Sequence, residues 1–297
     1  MDRYITAYEY EKNVNPVLKG VPILEKNAFE CDYGITHIDL SETYNVEYKS
    51  TSPNLLASFI KIKNNADFVV KGESANASSH FFFVIQNHCT IYTNNEEKFN
   101  VGEGDILIAP FNEEIIIQNT SESDVLLYYI NDSPLMNYMG SKPFKKTFQS
   151  AIYSKEFILS NLRELANPNN NRKGILLSNK DTERIGVNTI TPILWSLYNE
   201  LPPLTNQRPH KHNSVALDLC VTCCDSDNIF TLIGSEVDDK NNIINPIKVN
   251  WVQGGMFVTP PGLWHSHHNL GNTFAYILPI QDAGLLLYQR ILGIVLL

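Results

Sequence analysis

Three histidines, His210, His212 and His265, stand in a pattern that suits a metal ion. In an extended strand alternate side chains share a face, so the single residue between His210 and His212 puts both imidazoles on one side as a two-toothed claw. His265 follows Pro260-Pro261-Gly262, a turn signal that ends one strand and starts the next. A strand folded back in this way brings a residue distant in sequence opposite the claw. Three neutral imidazoles facing one point leave coordination positions open, which describes a catalytic metal site better than a closed structural one. Beyond them, His267 shares a face with His265 while His268 points away. His267 reads either as an acid/base group beside bound substrate or as a hydrogen-bonded wall residue. Continuing the alternation from His210 through Ser214 and Ala216 places Asp218 inward, as a substrate hydrogen-bond partner, a histidine-orienting group or, across a bulge, a further ligand. Trp264, Phe257 and Tyr276 are candidate substrate walls, although large aromatics near a site also serve as plain core.

The elements that must position these residues are strands. From Leu55 onward the runs LLASFIKIK, DFVVKG, HFFFVIQ, CTIYTN, FNV, DILIAP, EIIIQN and VLLYYIND are rich in Ile, Val, Phe and Tyr and are separated by Asn, Gly, Asp and Pro. That is the pattern of a β-sandwich or barrel. The second half repeats it with GILLS, ITPILWSLYNELPP, the His-x-His strand, a long hairpin from Phe230 to Gly255 and TFAYILPI. The closing segment, DAGLLLYQRILGIVLL, suits strand or helix equally. Gly104, Pro110, Asn112, Ile115 and Asn119 repeat the spacing of Gly254, Pro260, Gly262, His265 and Asn269, and Pro110 stands 150 residues before Pro260. The chain is therefore read as an internal duplication, in keeping with the two domains its length suggests. In the first copy only His80 survives as a counterpart of the claw, and a lone imidazole cannot hold a metal, so that barrel is expected to be metal-free.

Ser154 is placed to cap a helix, KEFILSNLRELA, with Phe157, Ile158, Leu162 and Leu165 on one face. The run NPNNNR ends it. Residues 1–150 are read as a first domain carrying a peripheral arm over about its first 50 residues, and residues 151–297 as the connector helix and second domain.

Composition excludes several function classes. A formal charge of -9 and a pI near 5.4 disfavour nucleic acid and anionic lipid as partners. No run approaches the ~18 apolar residues of a membrane helix, and the polar, acidic opening MDRYITAYEYEKN has no apolar signal-peptide core, so a cytoplasmic protein is expected. The five cysteines, with Cys223 and Cys224 adjacent, make neither a disulfide framework nor a zinc ribbon and are read as buried, reduced thiols.

The run from Gly254 to Asn269 resembles the second sequence motif of the cupin family at every fixed position, and His210-x-His212 resembles the core of its first. The resemblance implies an all-β chain of two cupin barrels, each a double-stranded β-helix or jelly roll, joined by a short helix, with a divalent metal on His210, His212 and His265. Over Thr191 to Asn269, the sequences TPILW, PHKHNSVAL, TP and WHSH resemble gentisate 1,2-dioxygenases and their salicylate and hydroxynaphthoate relatives. Those two-barrel enzymes bind Fe(II) through three histidines and use dioxygen to open an aromatic ring. Two features depart from that pattern: the intact histidine set is in the second barrel rather than the first, and Asp218 stands where those enzymes usually carry an arginine for the substrate carboxylate. An inward carboxylate opposes a like charge, which favours a phenol, a neutral ring or a cationic substrate over gentisate itself. The expected activity is thus that of a non-haem Fe(II) dioxygenase on a small aromatic or phenolic compound. Zn, Mn or Ni on the same ligands would instead serve an isomerase, lyase or hydrolase, and a non-catalytic small-molecule binder is the third class. Cupins are often dimers or larger, so a homo-oligomer fits as well.

Overall fold

A computed structural model describes residues 4–93, 97–165 and 171–297. The leading arm contains β1 (Glu25–Asn27) and β2 (Gly34–Ile38). The first half continues with β3 (Leu56–Ile62), β4 (Asp67–Val70), β5 (Ser79–Gln86), β6 (His88–Thr93), β7 (Lys98–Gly102), β8 (Ile106–Pro110), β9 (Ile115–Asn119) and β10 (Val125–Asn131). Next come β11 (Ala151–Tyr153), β12 (Lys173–Leu177), β13 (Trp195–Leu201), β14 (Thr205–Asn206), β15 (His210–His212) and β16 (Ala216–Thr222). The series closes with β17 (Ile229–Gly234), β18 (Ile247–Asn250), β19 (Gly255–Thr259), β20 (Trp264–Asn269), β21 (Ala275–Gln281) and β22 (Ile294–Leu296). The closing segment is both helix and strand, since helix Ala283–Tyr288 precedes β22. Among the described residues no helix is long and apolar enough to cross a membrane.

These strands form two jelly-roll barrels of the cupin kind. In the first, the sheet β11-β8-β5-β10-β3-β2 faces β4-β9-β6-β7; in the second, β1-β19-β16-β21-β13-β12 faces β18-β17-β20-β15-β22, with β14 beside β20. The arm was expected to pack on the first domain, but β1 pairs with β19 of the second barrel, Glu25 opposite Phe257. In return, β11 pairs with β8 of the first, Ala151 opposite Ile108. Each large sheet thus ends in a strand from beyond its own half of the chain.

Alternation along the large sheets sends one set of side chains into each barrel and the other set between the barrels. Phe59, Phe81, Phe83, Ile108 and Tyr128 of the first half and Leu217, Leu219, Met256, Val258, Leu278 and Ile280 of the second form one buried core between the two sheets. Of the connector helix Lys155–Glu164, Ile158 and Leu162 join this core, whereas Phe157 and Leu165 are exposed. Ser154 caps it, accepting from the Phe157 amide at 3.1 Å. Of the NPNNNR run expected to end it, residues 167–170 lie outside the described residues.

The duplication is structural as well as sequential. Gly104 and Gly254 both take positive φ, +87° and +71°. Asn119 donates to the carbonyls of Ile62, Lys63 and Ser123, and Asn269 to those of Leu201 and Thr273, so each amide ties its strand to the neighbouring corner. Buried Asp132 accepts from the amides of Ser78 and Ser79, and buried Asp282 from that of Val215. Register corrects one expected correspondence. His80 lies opposite Ala109 and Asn131, as Ala216 lies opposite Thr259 and Gln281, so His80 is the counterpart of Ala216 and not of a claw histidine. Val70 opposite Ile115 is the counterpart of His210 opposite His265. A longer loop between β4 and β5 makes the sequence spacing misleading there.

Because one core serves both barrels, they are expected to unfold together. All three tryptophans lie in the second half, so their fluorescence reports that barrel while far-ultraviolet circular dichroism reports both. The two thermal transitions should coincide in the wild type. Leu278→Ala should lower both midpoints together, by about 2–5 kcal/mol of stability; separated transitions would contradict a shared core.

Candidate metal centre

β15 and β16 are not one continuous strand: the chain turns at Asn213 and Ser214 and passes from the smaller sheet of the second barrel to the larger. The claw therefore lies at a barrel corner. His210 is paired with His265 across β15 and β20, and directly opposed residues of an antiparallel pair share a face. Ring centroids are 4.0 Å apart for His210 and His265 and 4.9 Å for His212 and His265. One nitrogen from each of His210, His212 and His265 lies within 4.8 Å of the others, and among the described residues no other group of three or more His, Cys, Asp or Glu side chains is so placed. Ligation at about 2.1 Å would need these atoms to close by at most roughly 2 Å.

The hydrogen bonds bear on whether the residues fit a metal. His212 Nδ1 lies 2.9 Å from the Ser214 carbonyl and His265 Nδ1 3.2 Å from that of Leu263. A carbonyl can only accept, so in both neutral rings Nδ1 carries the proton and Nε2 presents a lone pair, as a metal requires. Ser214 Oγ, 3.1 Å from His212 Nδ1 and donating to Gln281 at 2.7 Å, braces the first ring. His210 Nδ1 is buried without a hydrogen-bond partner. Burial, followed by the neighbouring imidazoles, holds His210 and His265 well below the ordinary histidine range, and burial lowers His212 too. All three are neutral near pH 7, and the donor set fits a divalent ion.

The histidines open onto a cavity of ≈ 300 Å³. His267 and Asp218 line it as well. The Trp251 indole donates to Thr231 Oγ1 and the same oxygen meets His267 Nδ1, each at 2.8 Å; burial lowers the His267 pKa to about 3. Asp218 touches none of the histidines through a hydrogen bond; it accepts from Thr259 Oγ1 at 2.5 Å. Burial raises its carboxyl to about 7, only partly offset by Thr259. His268 faces the opposite side of β20, stacked on Phe230.

The three aromatics expected as walls do not line this cavity. Trp264 alternates with His265 and faces outward, under the Lys211 ammonium at 4.5 Å. Phe257, opposite Asp218 in the sheet, is buried in the barrel core with Trp251, Cys220 and Ile277. Tyr276 has the opposite parity to the lining residues Pro279 and Gln281, and packs toward the other barrel against Tyr198, its hydroxyl bonded to Glu200 at 3.1 Å. The walls are instead Leu176, Trp195, Leu197 and Asn199, with Ile294 and Leu296 of β22. The alternation of Trp195, Leu197 and Asn199 was open to reading in the sequence, but nothing local tied that strand to the histidines. At Gly174 an added Cβ would lie 1.8 Å from Asn199 Oδ1, so glycine there leaves room for the Asn199 amide.

Arg172 is a further lining residue that the sequence did not single out. Its guanidinium donates to the carbonyls of Arg208 at 2.6 Å and Pro209 at 3.3 Å, stapling the segment that leads into the claw. It also places a cation near the imidazoles, contributing to the depression of His210 and His265. The thiols divide: Cys31, Cys89, Cys220 and Cys223 are buried and free as expected, while Cys224 is exposed.

Fold and site together place the chain in the architectural class of two-barrel cupins. Solved structures of that class similar to it include salicylate 1,2-dioxygenase from Pseudaminobacter salicylatoxidans, at a TM-score of 0.66 and 14% identity, covering 84% of this chain and 77% of that one. A structure of salicylate 1,2-dioxygenase with gentisate, from Pseudoaminobacter salicylatoxidans, reaches a TM-score of 0.72 at 13% identity, covering 96% and 87%. At such identity the likeness is one of fold. No protein-family model matches the chain, and no curated protein does.

Two expected outcomes follow from the site. Purified protein should take up one equivalent of divalent metal, measured by elemental analysis; His210→Ala, His212→Ala and His265→Ala should each lose it, while His267→Ala keeps it. Retention by all three would remove the site. For Asp218, the raised folded pKa means the native state holds a proton that the unfolded chain releases near pH 4, so its contribution to stability falls from about pH 4 to about pH 7 and is constant above. In metal-free protein, the stability of Asp218→Asn relative to wild type should therefore rise across that window, measured by denaturant titration; a pH-independent difference would contradict it.

Proposed function

We propose that this protein is a metal-dependent cupin oxygenase, a non-haem Fe(II) dioxygenase acting on a small aromatic or phenolic compound. The observation that carries the reading is the set of three neutral imidazoles, His212 and His265 buried and His210 half-buried, two with their tautomer set by backbone carbonyls, converging beside a cavity large enough for one ring. A redox-active ion held by His210, His212 and His265 would supply open coordination for a substrate oxygen and for dioxygen.

The chain's own residues account for the rest. Neutral ligands leave the charge of a bound ion undiminished, and Arg172 adds to it, so the cavity attracts the anionic form of a hydroxyl-bearing ring. Trp195, Leu176 and Leu197 bury the ring and exclude water. Asp218 in its protonated form donates a hydrogen bond to a substrate oxygen; once ionised it repels that oxygen. Thr231 accepts from Trp251 and meets His267 Nδ1; with its one hydroxyl hydrogen given to Nδ1, the His267 ring keeps its own proton on Nε2. His267, neutral through its burial, thus presents a hydrogen-bond donor to the cavity where His212 and His265 present lone pairs, consistent with its place outside the ligand group.

The test is oxygen consumption by protein reconstituted anaerobically with Fe(II), using a panel of phenols, catechols and hydroxybenzoates. Uptake that depends on both iron and ring compound is expected, abolished in His212→Ala and lowered about 100-fold in His267→Ala with metal content unchanged. Iron-loaded protein that consumes no oxygen with any of them would overturn the dioxygenase reading, and metal uptake alone would point to a non-redox cupin isomerase, lyase or hydrolase.

A further inference from the structure

The two barrels correspond strand for strand around the site except at β22. After helix Ser133–Tyr138 the chain of the first barrel runs to β11 and the large sheet. After the corresponding helix Ala283–Tyr288 it returns instead to the mouth of the second barrel and pairs with β15. Among the described residues the smaller sheet of the first barrel has no fifth strand, so there the extra strand occurs beside the histidines alone.

Its register is specific. Ile294 lies opposite His212 and Leu296 opposite His210, so both apolar side chains share the face of the claw, and both line the cavity. Val295, opposite Lys211, points the other way. Asn213 clamps the start of the strand through the Gly293 amide and the Ile291 carbonyl, each at 2.8 Å, and the Leu297 amide donates to the Pro209 carbonyl at 3.1 Å beyond its end. The strand is thus tied at both ends to the residues that flank the ligands. Yet Ile294 is 41% exposed and Leu296 58%, apolar area that a ring entering the cavity would cover.

We infer that β22 is the specificity wall of the metal pocket, with Ile294 and Leu296 forming an apolar gauge that admits a small ring and rejects bulky substituents. This rests on the proposed aromatic-binding function but does not require oxygen chemistry. The experiment is calorimetric binding of catechol and of tert-butylcatechol to protein incubated with Zn(II), a redox-silent ion, so that a failed dioxygenase assay leaves the result readable. Metal content is measured in parallel. Wild type should bind catechol in preference to tert-butylcatechol. Ile294→Ala and Leu296→Ala should each shift that preference by about tenfold toward the bulky ring. Val295→Ala, on the same strand but facing away, should leave it unchanged, as should metal content in all three. An unaltered preference at both positions would overturn the inference, as would an equal shift in Val295→Ala or a wild type that binds neither ring.

Discussion

The site depends on the register between β15 and β20, where His210 meets His265. A slip of one residue along β20 would turn His265 and His267 to the outer face and bring Trp264 and Ser266 inward. The pairing is short, and its surroundings hold it. The Gln207 amide donates to the His267 carbonyl at 3.0 Å, and the Gly262 amide to that of His212 at 2.7 Å. Arg172 holds the carbonyls of Arg208 and Pro209. Gly262 itself takes a φ of +79°, which a Cβ-bearing residue would adopt only under strain. Once the backbone is pinned, the Ser214 and Leu263 carbonyls orient two rings, and burial keeps all of them uncharged.

The same frame serves opposite ends in the two barrels. Where the second has His210, His265 and Asp218, the register of the first places Val70, Ile115 and Phe82, and these join an apolar core with Ile60, Ile91 and Leu127. The second barrel instead keeps polar groups around an open cavity. Burying them costs stability unless each is hydrogen-bonded, and bonds with Ser214, Leu263, Thr231 and Thr259 meet that demand for His212, His265, His267 and Asp218, leaving His210 Nδ1 without a partner. The broad apolar core between the large sheets couples this barrel to the first, whose filled interior adds packing that the site-bearing one lacks.

Charge within the cavity is balanced by environment more than by pairing. Asp218, surrounded by β-sheet and met by one hydroxyl, is shifted toward its neutral form, while Arg172 lies toward the residues that lead into the claw. An inward Asp therefore weighs less against an anionic substrate than its side-chain type suggests, because a carboxyl raised to about 7 is largely protonated below neutrality.

The sequence alone determined whatever alternation and turn chemistry control. The strand runs, the capped helix after Ser154, the duplication at Pro110 and Pro260 and the common face of His210 and His212 are local properties, set by side-chain period and backbone preference. Parity also placed Trp264 opposite to His265, a signal available in the motif itself. Tertiary structure decided which distant strands share a cavity. Arg172, Gly174 and Leu176 reach it from β12 and its approach, Ile294 and Leu296 reach it because β22 folds back onto β15, and His80 moved to the register of Ala216 through a longer loop. Those outcomes depend on sheet order and loop length, which are settled by the packing of the whole chain and leave no periodic trace in any one segment.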